Sequence, residues 1–339
     1  MRSIRKLRIL FRTLTLRKVL NAIQIVISFY LSKFLGKAIH FGQPLKLGIE
    51  PTTSCNLRCP ECLSGVRGFT RPTGIMDFDE FRKLADETHK SLIYMLLYFQ
   101  GEPYLHPRFL EMAAHSSSKK IYTATSTNGH YLDQETAVKT VRSGIHEVLI
   151  SMDGISQGIY EKYRQGGKLE KVKEGIRNLV NARRDLKSLT PYIVIQFLVT
   201  GQNEPEIAGI QSFAKKIGAD KVVFKTAQIR EFQNGNPLIP KQEKYSRYRE
   251  EKPGQFVHKS LQKNECWKLW QGAEITWDGR VLPCCFDKDA KHEMGVLNGI
   301  RFAEIWKNEK YGEFRQQLVH SRTKIDMCRN CSEGGKVFG

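Results

Sequence analysis

Three cysteines fall within eight residues in Cys55-Asn56-Leu57-Arg58-Cys59-Pro60-Glu61-Cys62, directly after the apolar run Leu45 to Ile49 and the turn-forming Pro51-Thr52-Thr53-Ser54. Sulfurs so close in sequence converge on one soft metal centre with little loss of loop-closure entropy. A tetrahedral zinc site wants a fourth Cys or His nearby, and the next 25 residues hold neither. Three protein ligands instead leave one metal position open, where chemistry rather than scaffolding takes place. A structural zinc knuckle is the competing reading of these residues alone.

A second group, Cys266, Cys284, Cys285, Cys328 and Cys331, follows after about two hundred cysteine-free residues. Two clusters this far apart read as metal ligation in a reducing compartment, not as a secreted disulfide framework. Between Cys266 and Cys284 the Asp278-Gly279 pair separates two β-like runs, which predicts a hairpin that carries Cys284 back towards Cys266. With the Cys328-Arg-Asn-Cys331 pair these make a four-thiolate site, zinc or iron–sulfur by ligand count. Cys285 is left over, as a packed thiol or an alternative ligand.

The elements that must position these thiols alternate along the middle of the chain. Candidate strands are 45–50, 93–99, 121–125, 147–152, 192–199 and 221–225, with helical patterns at 77–90, 107–118, 133–143, 168–186 and 204–217. Asp77 and Asp133 stand as N-caps, and Gly218 closes the last helix. Six β–α repeats imply a parallel sheet covered by helices, whose active site gathers at the carboxyl ends of the strands. Hydrophobic and charged contents of 40% and 26% are those of a soluble globular chain with material for a core of this size. Residues 231–262 lack a sustained apolar period and read as a linker.

Polar groups follow strand after strand. Gln100-Gly101-Glu102-Pro103 comes after the second, Ser126-Thr127-Asn128-Gly129 after the third, and Ser151-Met152-Asp153-Gly154 after the fourth, with Arg164 shortly beyond. Together with the C-x3-C-x2-C spacing, this order resembles the radical S-adenosylmethionine (SAM) enzymes over residues 44–230. The resemblance implies a partial (β/α)6 TIM-like barrel in which Cys55, Cys59 and Cys62 hold a [4Fe–4S] cluster whose fourth iron chelates SAM. It also implies that Gly101, Glu102 and Pro103 receive the SAM amino group. Ser126, Asn128, Ser151 and Asp153 would line the SAM pocket, and Arg164 would pair with the SAM carboxylate, a task suited to its planar fork. Glu61 departs from the pattern, because many members carry an adenine-stacking aromatic residue there.

Residues 263–339, with C-x12-G-x4-C, a long gap and C-x2-C, resemble the cysteine-rich SPASM extension of such barrels. Eight residues follow Cys331 without another cysteine, as in the shorter single-cluster version called twitch. The resemblance implies a second, auxiliary [4Fe–4S] cluster on Cys266, Cys284, Cys328 and Cys331, and its glycine spacing favours Cys284 over Cys285. The expected function is a radical SAM oxidoreductase that abstracts a hydrogen atom. The net reaction is a dehydrogenation of a carbohydrate-like or lipid-linked substrate, with flavodoxin or ferredoxin as electron donor. A peptide-modifying maturase is the alternative, and a non-catalytic zinc protein is the reading from another class.

The net charge of +19 is unevenly placed, since ten Lys and Arg precede Glu50 and no acid does. Within residues 1–43, Leu20, Ile23, Ile27, Tyr30, Leu31 and Phe34 recur at helical spacing opposite Asn21, Gln24, Ser28 and Ser32. The apolar stretch is short and interrupted for a spanning helix and lacks a signal-cleavage pattern. It is expected to form a basic amphipathic helix lying on an anionic membrane, with an ordinary packed helix as the alternative and no specific nucleic-acid contact. The expected location is cytoplasmic, peripheral to the inner face of the membrane.

Overall fold

The computed structural model describes every residue except 1, 260–262, 330, 332, 335, 336, 338 and 339. Two N-terminal helices, α1 (Arg2–Thr13) and α2 (Leu16–Leu35), precede the alternating part of the chain. There β1 (Lys46–Ile49), β2 (Tyr94–Leu97), β3 (Tyr122–Thr127), β4 (Glu147–Ser151), β5 (Tyr192–Val199) and β6 (Lys221–Thr226) pair in parallel, each with the next. The crossovers are α3 (Phe78–Thr88), α4 (Phe109–Ser118), α5 (Gln134–Arg142), α6 (Leu169–Asp185) and α7 (Ile207–Ile217). All six expected strands and five expected helices form within a few residues of their expected bounds.

Local chemistry sets the element ends. The Asp77 carboxylate accepts from the Asp79 and Glu80 amides and that of Asp133 from Thr136 N, satisfying helix-start donors. Gly218 ends α7 in the left-handed conformation at φ +89°. Leu47, Ile49, Met95, Leu97, Val148, Ile150, Ile193, Ile195 and Phe197 are buried, the near-continuous apolar pattern of strands covered on both faces.

The sheet does not stop at β1. Its free edge pairs in parallel with β9 (Gly272–Ile275), with Lys46 opposite Gly272. The expected hairpin forms as β9 and antiparallel β10 (Arg280–Leu282), and β11 (Gly295–Val296) completes a nine-stranded sheet of order β11-β10-β9-β1-β2-β3-β4-β5-β6. The parallel barrel is therefore partial, and the C-terminal cysteine region extends its sheet. Residues 231–262, read as a linker, contain the hairpin β7 (Tyr248–Lys252) and β8 (Gln255–His258), turned at Pro253-Gly254 with Gly254 at φ +74°. A Pro-Gly pair carried that signal, but the flanking charged residues hide the strand period.

The N-terminal helices lie at the amino-terminal ends of the strands. Arg5 pairs with Asp220 at 2.7 Å, just before β6, and Lys6 with Glu147 at 2.9 Å, at the start of β4. Ile9 is buried with Tyr122 and Tyr192, the first residues of β3 and β5. Phe29 of α2 meets Trp267 and Trp270 at ring-centroid distances of 5.5 and 5.9 Å.

At the other end, Arg71 donates two hydrogen bonds to Glu50, of 2.9 and 2.6 Å, and both side chains are buried. Trp277 N, beyond β9, also donates to Glu50 at 3.2 Å. Burial pushes the Glu50 carboxyl up while Arg71 pulls it down. Arg71→Ala leaves this carboxylate buried without its partner and should cost about 3 kcal/mol in urea unfolding of the metal-free chain. The double variant Arg71→Met/Glu50→Gln should lose less, and equal losses would show that the cost is not that of a buried carboxylate left unpaired.

Candidate functional site

The Cys55–Cys62 loop leaves the carboxyl end of β1 and is held by backbone contacts that leave little room. Arg58 N donates to Gln165 O at 3.0 Å and Cys62 N to Cys59 O at 3.2 Å. Gly65 lies so close that a Cβ there would stand 2.5 Å from Cys59 O. Gly101, at φ +74°, would place a Cβ 2.1 Å from Thr52 O, so only glycine lets the end of β2 approach this loop. Gly101 N then donates to Ser64 Oγ at 2.9 Å and Glu102 N to Ser54 O at 2.7 Å.

One pocket results, at the carboxyl ends of β1 to β4. Its walls include Cys55, Cys59 and Cys62 together with Gly101, Glu102, Ser126, Asn128, Ser151 and Arg164. Two expected residues do not reach its wall. Pro103 is buried in a one-turn helix, and Asp153 uses its carboxylate elsewhere. Asp153 Oδ1 accepts from Leu198 N at 2.7 Å, while Oδ2 accepts from Arg164 Nε at 2.5 Å. Asp153 thus aims Arg164, whose Nη1 stands 3.9 Å from Cys59 Sγ. Tyr98 also lines the pocket and was not anticipated. Its position three residues before Gly101 carries no motif that would single it out.

Burial raises the Cys55 thiol to about 11 and pushes Cys59 up as well. Ligation by a metal must therefore displace these protons. Among the described residues, no three Cys, His, Asp or Glu side chains converge on a point that one ion would occupy.

Glu102 is buried and its carboxyl is raised to about 7 by that burial. Oε1 accepts from Thr127 Oγ1 at 2.7 Å and Tyr104 N at 3.2 Å, and Oε2 accepts from Asn128 N at 2.7 Å. A carboxylate offers about four acceptor sites, so one on Oε2 remains for a ligand. Asn128 Nδ2 in turn donates to Asn56 Oδ1 in the cysteine loop at 2.7 Å. Glu61, where an aromatic residue was missed, accepts from Arg230 N at 3.1 Å and Arg230 Nε at 3.3 Å. It braces the loop after β6 instead of offering a stacking face.

The second cysteine group gathers below the β9–β10 hairpin. Cys266, Cys328 and Cys331 are buried around Arg322, whose Nη2 lies 3.4 Å from Cys331 Sγ and 2.8 Å from Glu333 O. Burial pushes Cys266 up and raises Cys328 to about 12. Gly334, at φ +90°, closes over Cys266, where a Cβ would stand 2.5 Å from its sulfur. The neighbouring thiols diverge in character. Cys284 is raised by its hydrogen bond to Cys285 and by burial, and feels Cys266. Cys285 is lowered to about 6 by that same hydrogen bond, with Lys268 and Lys46 assisting. Lys288 is lowered by burial, with Cys62 and Cys285 both opposing that shift.

Comparison with known proteins bears on both groups. Residues 49–214 match the family model described as the radical SAM superfamily, and residues 266–332 match SPASM, an iron–sulfur cluster-binding domain. The chain is 25% identical over 329 residues to the tungsten-containing aldehyde ferredoxin oxidoreductase cofactor-modifying protein of Pyrococcus furiosus, covering 84% of this chain and 86% of that protein. It is 26% identical over 313 residues to the PqqA peptide cyclase of Bradyrhizobium diazoefficiens, covering 84% and 79%. The fold is similar to that of Streptococcus suis SuiB bound to S-adenosylmethionine, with a TM-score of 0.63 at 14% identity over 91% of this chain and 76% of that one.

Gly101 offers a test of the close approach that builds the pocket. Gly101→Ala should lower the iron held after anaerobic reconstitution by about half, because the Cβ displaces the cysteine loop. Gly166→Ala is the control, since Gly166 has φ +77° but nothing within 4 Å, so it carries the same backbone strain without the clash. Equal iron in the two variants would show that the approach is not what forms the site.

Proposed function

The chain belongs to the radical SAM superfamily and carries a SPASM domain, and from that premise we propose an oxidoreductase that removes a hydrogen atom from an unactivated substrate carbon. The radical SAM domain takes a [4Fe–4S] cluster and SAM, and the SPASM domain takes auxiliary iron–sulfur clusters. The donor sets fit these groups, with three thiols on one pocket wall and a second thiol group around Arg322. Held by these residues, the groups would supply one-electron reductive cleavage of SAM and hydrogen-atom abstraction from the substrate, and an auxiliary cluster on the second thiol group would accept the electron that makes the net reaction an oxidation.

The observation that carries this reading is the single pocket shared by the three thiols, Glu102 and Arg164. Cys55, Cys59 and Cys62 are the proposed cluster ligands. The free acceptor on Glu102 Oε2 suits the SAM amino group, and the Arg164 fork, aimed by Asp153, suits the SAM carboxylate. Ser126, Asn128 and Ser151 supply polar contacts on the remaining wall. Cys266, Cys284, Cys328 and Cys331 are the proposed auxiliary ligands. Cys284 is preferred over Cys285 because it feels Cys266, while Cys285 packs near Phe99 and Leu282.

For the substrate, the relatives move the balance. Those matching most of the chain are named for modifying a cofactor and for cyclising a peptide. We therefore favour a peptide or cofactor precursor, with the carbohydrate-like or lipid-linked substrate as the second reading. Cytoplasmic location and a ferredoxin- or flavodoxin-like electron donor belong to the same proposal.

Two outcomes test these roles. The ionised fraction of a carboxyl with pKa near 7 grows from about a tenth at pH 6 to about nine-tenths at pH 8. SAM affinity of the cluster-loaded protein should therefore rise about tenfold across that window, measured by equilibrium dialysis. Glu102→Gln should flatten the profile, and a slope that persists in this variant would remove Glu102 from the amino-group role. For the auxiliary site, Cys284→Ala should lower iron content and substrate turnover while uncoupled 5′-deoxyadenosine formation continues. Iron lost in Cys285→Ala but kept in Cys284→Ala would reverse the ligand choice.

A further inference from the structure

Helix α2 keeps its wider apolar stripe outside. Its buried face mixes Asn21, Ser28 and Ser32, at 7%, 0% and 1% exposure, with Ile25 and Phe29, while Leu20, Ile23, Ile27 and Phe34 are 53%, 49%, 49% and 86% exposed. The inward polar groups are satisfied locally. Asn21 exchanges hydrogen bonds with the Gln43 backbone, and Ser32 bonds to Ile39 O at 2.7 Å. A surface helix of a soluble protein buries its apolar stripe instead. On α1, Ile4, Leu7 and Phe11 are exposed as well. Among the described residues, thirteen of the eighteen exposed large apolar side chains precede residue 42, so they are concentrated on α1, α2 and the residues flanking them.

Charge says what covers this region. Arg8, Arg12, Arg17 and Lys37 are exposed on the same two helices and the turn after them, and no acid precedes Glu50. Beside the stripe, a cavity of about 560 Å³ has Gln24, His40, Phe41, Lys307, Asn308 and Arg315 in its lining and no acidic residue. Arg315 is buried over the Trp306 and Tyr311 rings with Nη1 donating to Trp306 O at 3.1 Å, and its Nε and Nη2 have no hydrogen-bond partner.

We propose that α1 and α2 dock the protein on an anionic lipid surface, the apolar stripe entering the headgroup–acyl boundary and the cationic cavity taking a lipid phosphate. Among the described residues α2 is the one helix long and apolar enough to cross a bilayer. It lies on the surface instead, because its inner face is committed to Trp267 and Trp270, and Lys33 pairs with Glu265 at 2.6 Å. Docking also fixes orientation. The helices cover the amino-terminal strand ends, whereas the three-thiol pocket opens at the carboxyl ends. A six-residue strand spans about 20 Å, so the pocket faces away from the lipid.

The test is co-sedimentation of the full, iron-loaded chain with phosphatidylcholine vesicles with and without phosphatidylglycerol. Binding should need the anionic lipid, fall about tenfold at high salt, and be released by alkaline carbonate. The triple variant Leu20→Gln/Ile27→Gln/Phe34→Gln changes exposed positions only, and should bind at least about tenfold more weakly with unchanged iron content and circular dichroism. Lys307→Glu should weaken anionic-vesicle binding severalfold. Equal binding by the triple variant would overturn the docking face, and unchanged binding by Lys307→Glu would overturn the phosphate site. Resistance to carbonate would mean a spanning helix. A dimer lost in the triple variant, without vesicle binding, would give the face to a second copy of the chain.

Discussion

Strand β1 is only four residues long, yet it is paired in parallel along both edges, to β2 on one side and β9 on the other. Everything chemical in the chain depends on that double pairing. The cysteine loop leaves its carboxyl end, the Gly101 turn leaves the same end of β2, and β9 brings in the C-terminal hairpin with the second cysteine group. Gly48 shows how tight the arrangement is, because a Cβ there would stand 1.5 Å from Glu274 Oε2 on β9. The Glu274 carboxyl, buried above this glycine, is raised to about 8 by the loss of water. A side chain at position 48 and a buried Glu274 exclude one another.

Much of this was legible in the sequence because strand and helix periods agree with cap and turn residues at each boundary. Asp77, Asp133 and Gly218 act where they were expected to, and Asp278-Gly279 turns the hairpin. The parallel pairing of β9 with β1 was not legible, since nothing in Gly272–Ile275 says which of several sheet edges it will join. The division of labour between Asp153 and Arg164 was also hidden. Sequence order puts both beside the pocket, but only the fold shows the aspartate turned to Leu198 N and to the arginine. Tyr98 escaped notice for a similar reason, being one apolar-aromatic residue in a run of others.

The amphipathic N-terminus teaches a different lesson. Its stripe was visible from spacing alone, but spacing does not tell which face turns inward. Backbone partners for Asn21 and Ser32 let these polar groups be buried beside Ile25 and Phe29, which leaves the wider apolar stripe outside. About half of the +19 net charge, the ten Lys and Arg before Glu50, then lies in the N-terminal helices and the segment leading into β1.

The central claim is that the Cys55, Cys59 and Cys62 pocket is where SAM is cleaved. The most direct measurement is 5′-deoxyadenosine formed from SAM and dithionite by the triple variant Cys55→Ala/Cys59→Ala/Cys62→Ala, with iron and sulfide determined on the same sample. The account predicts no 5′-deoxyadenosine while about half of the roughly eight irons remain on the SPASM side. Formation at the rate of the unaltered chain would contradict it.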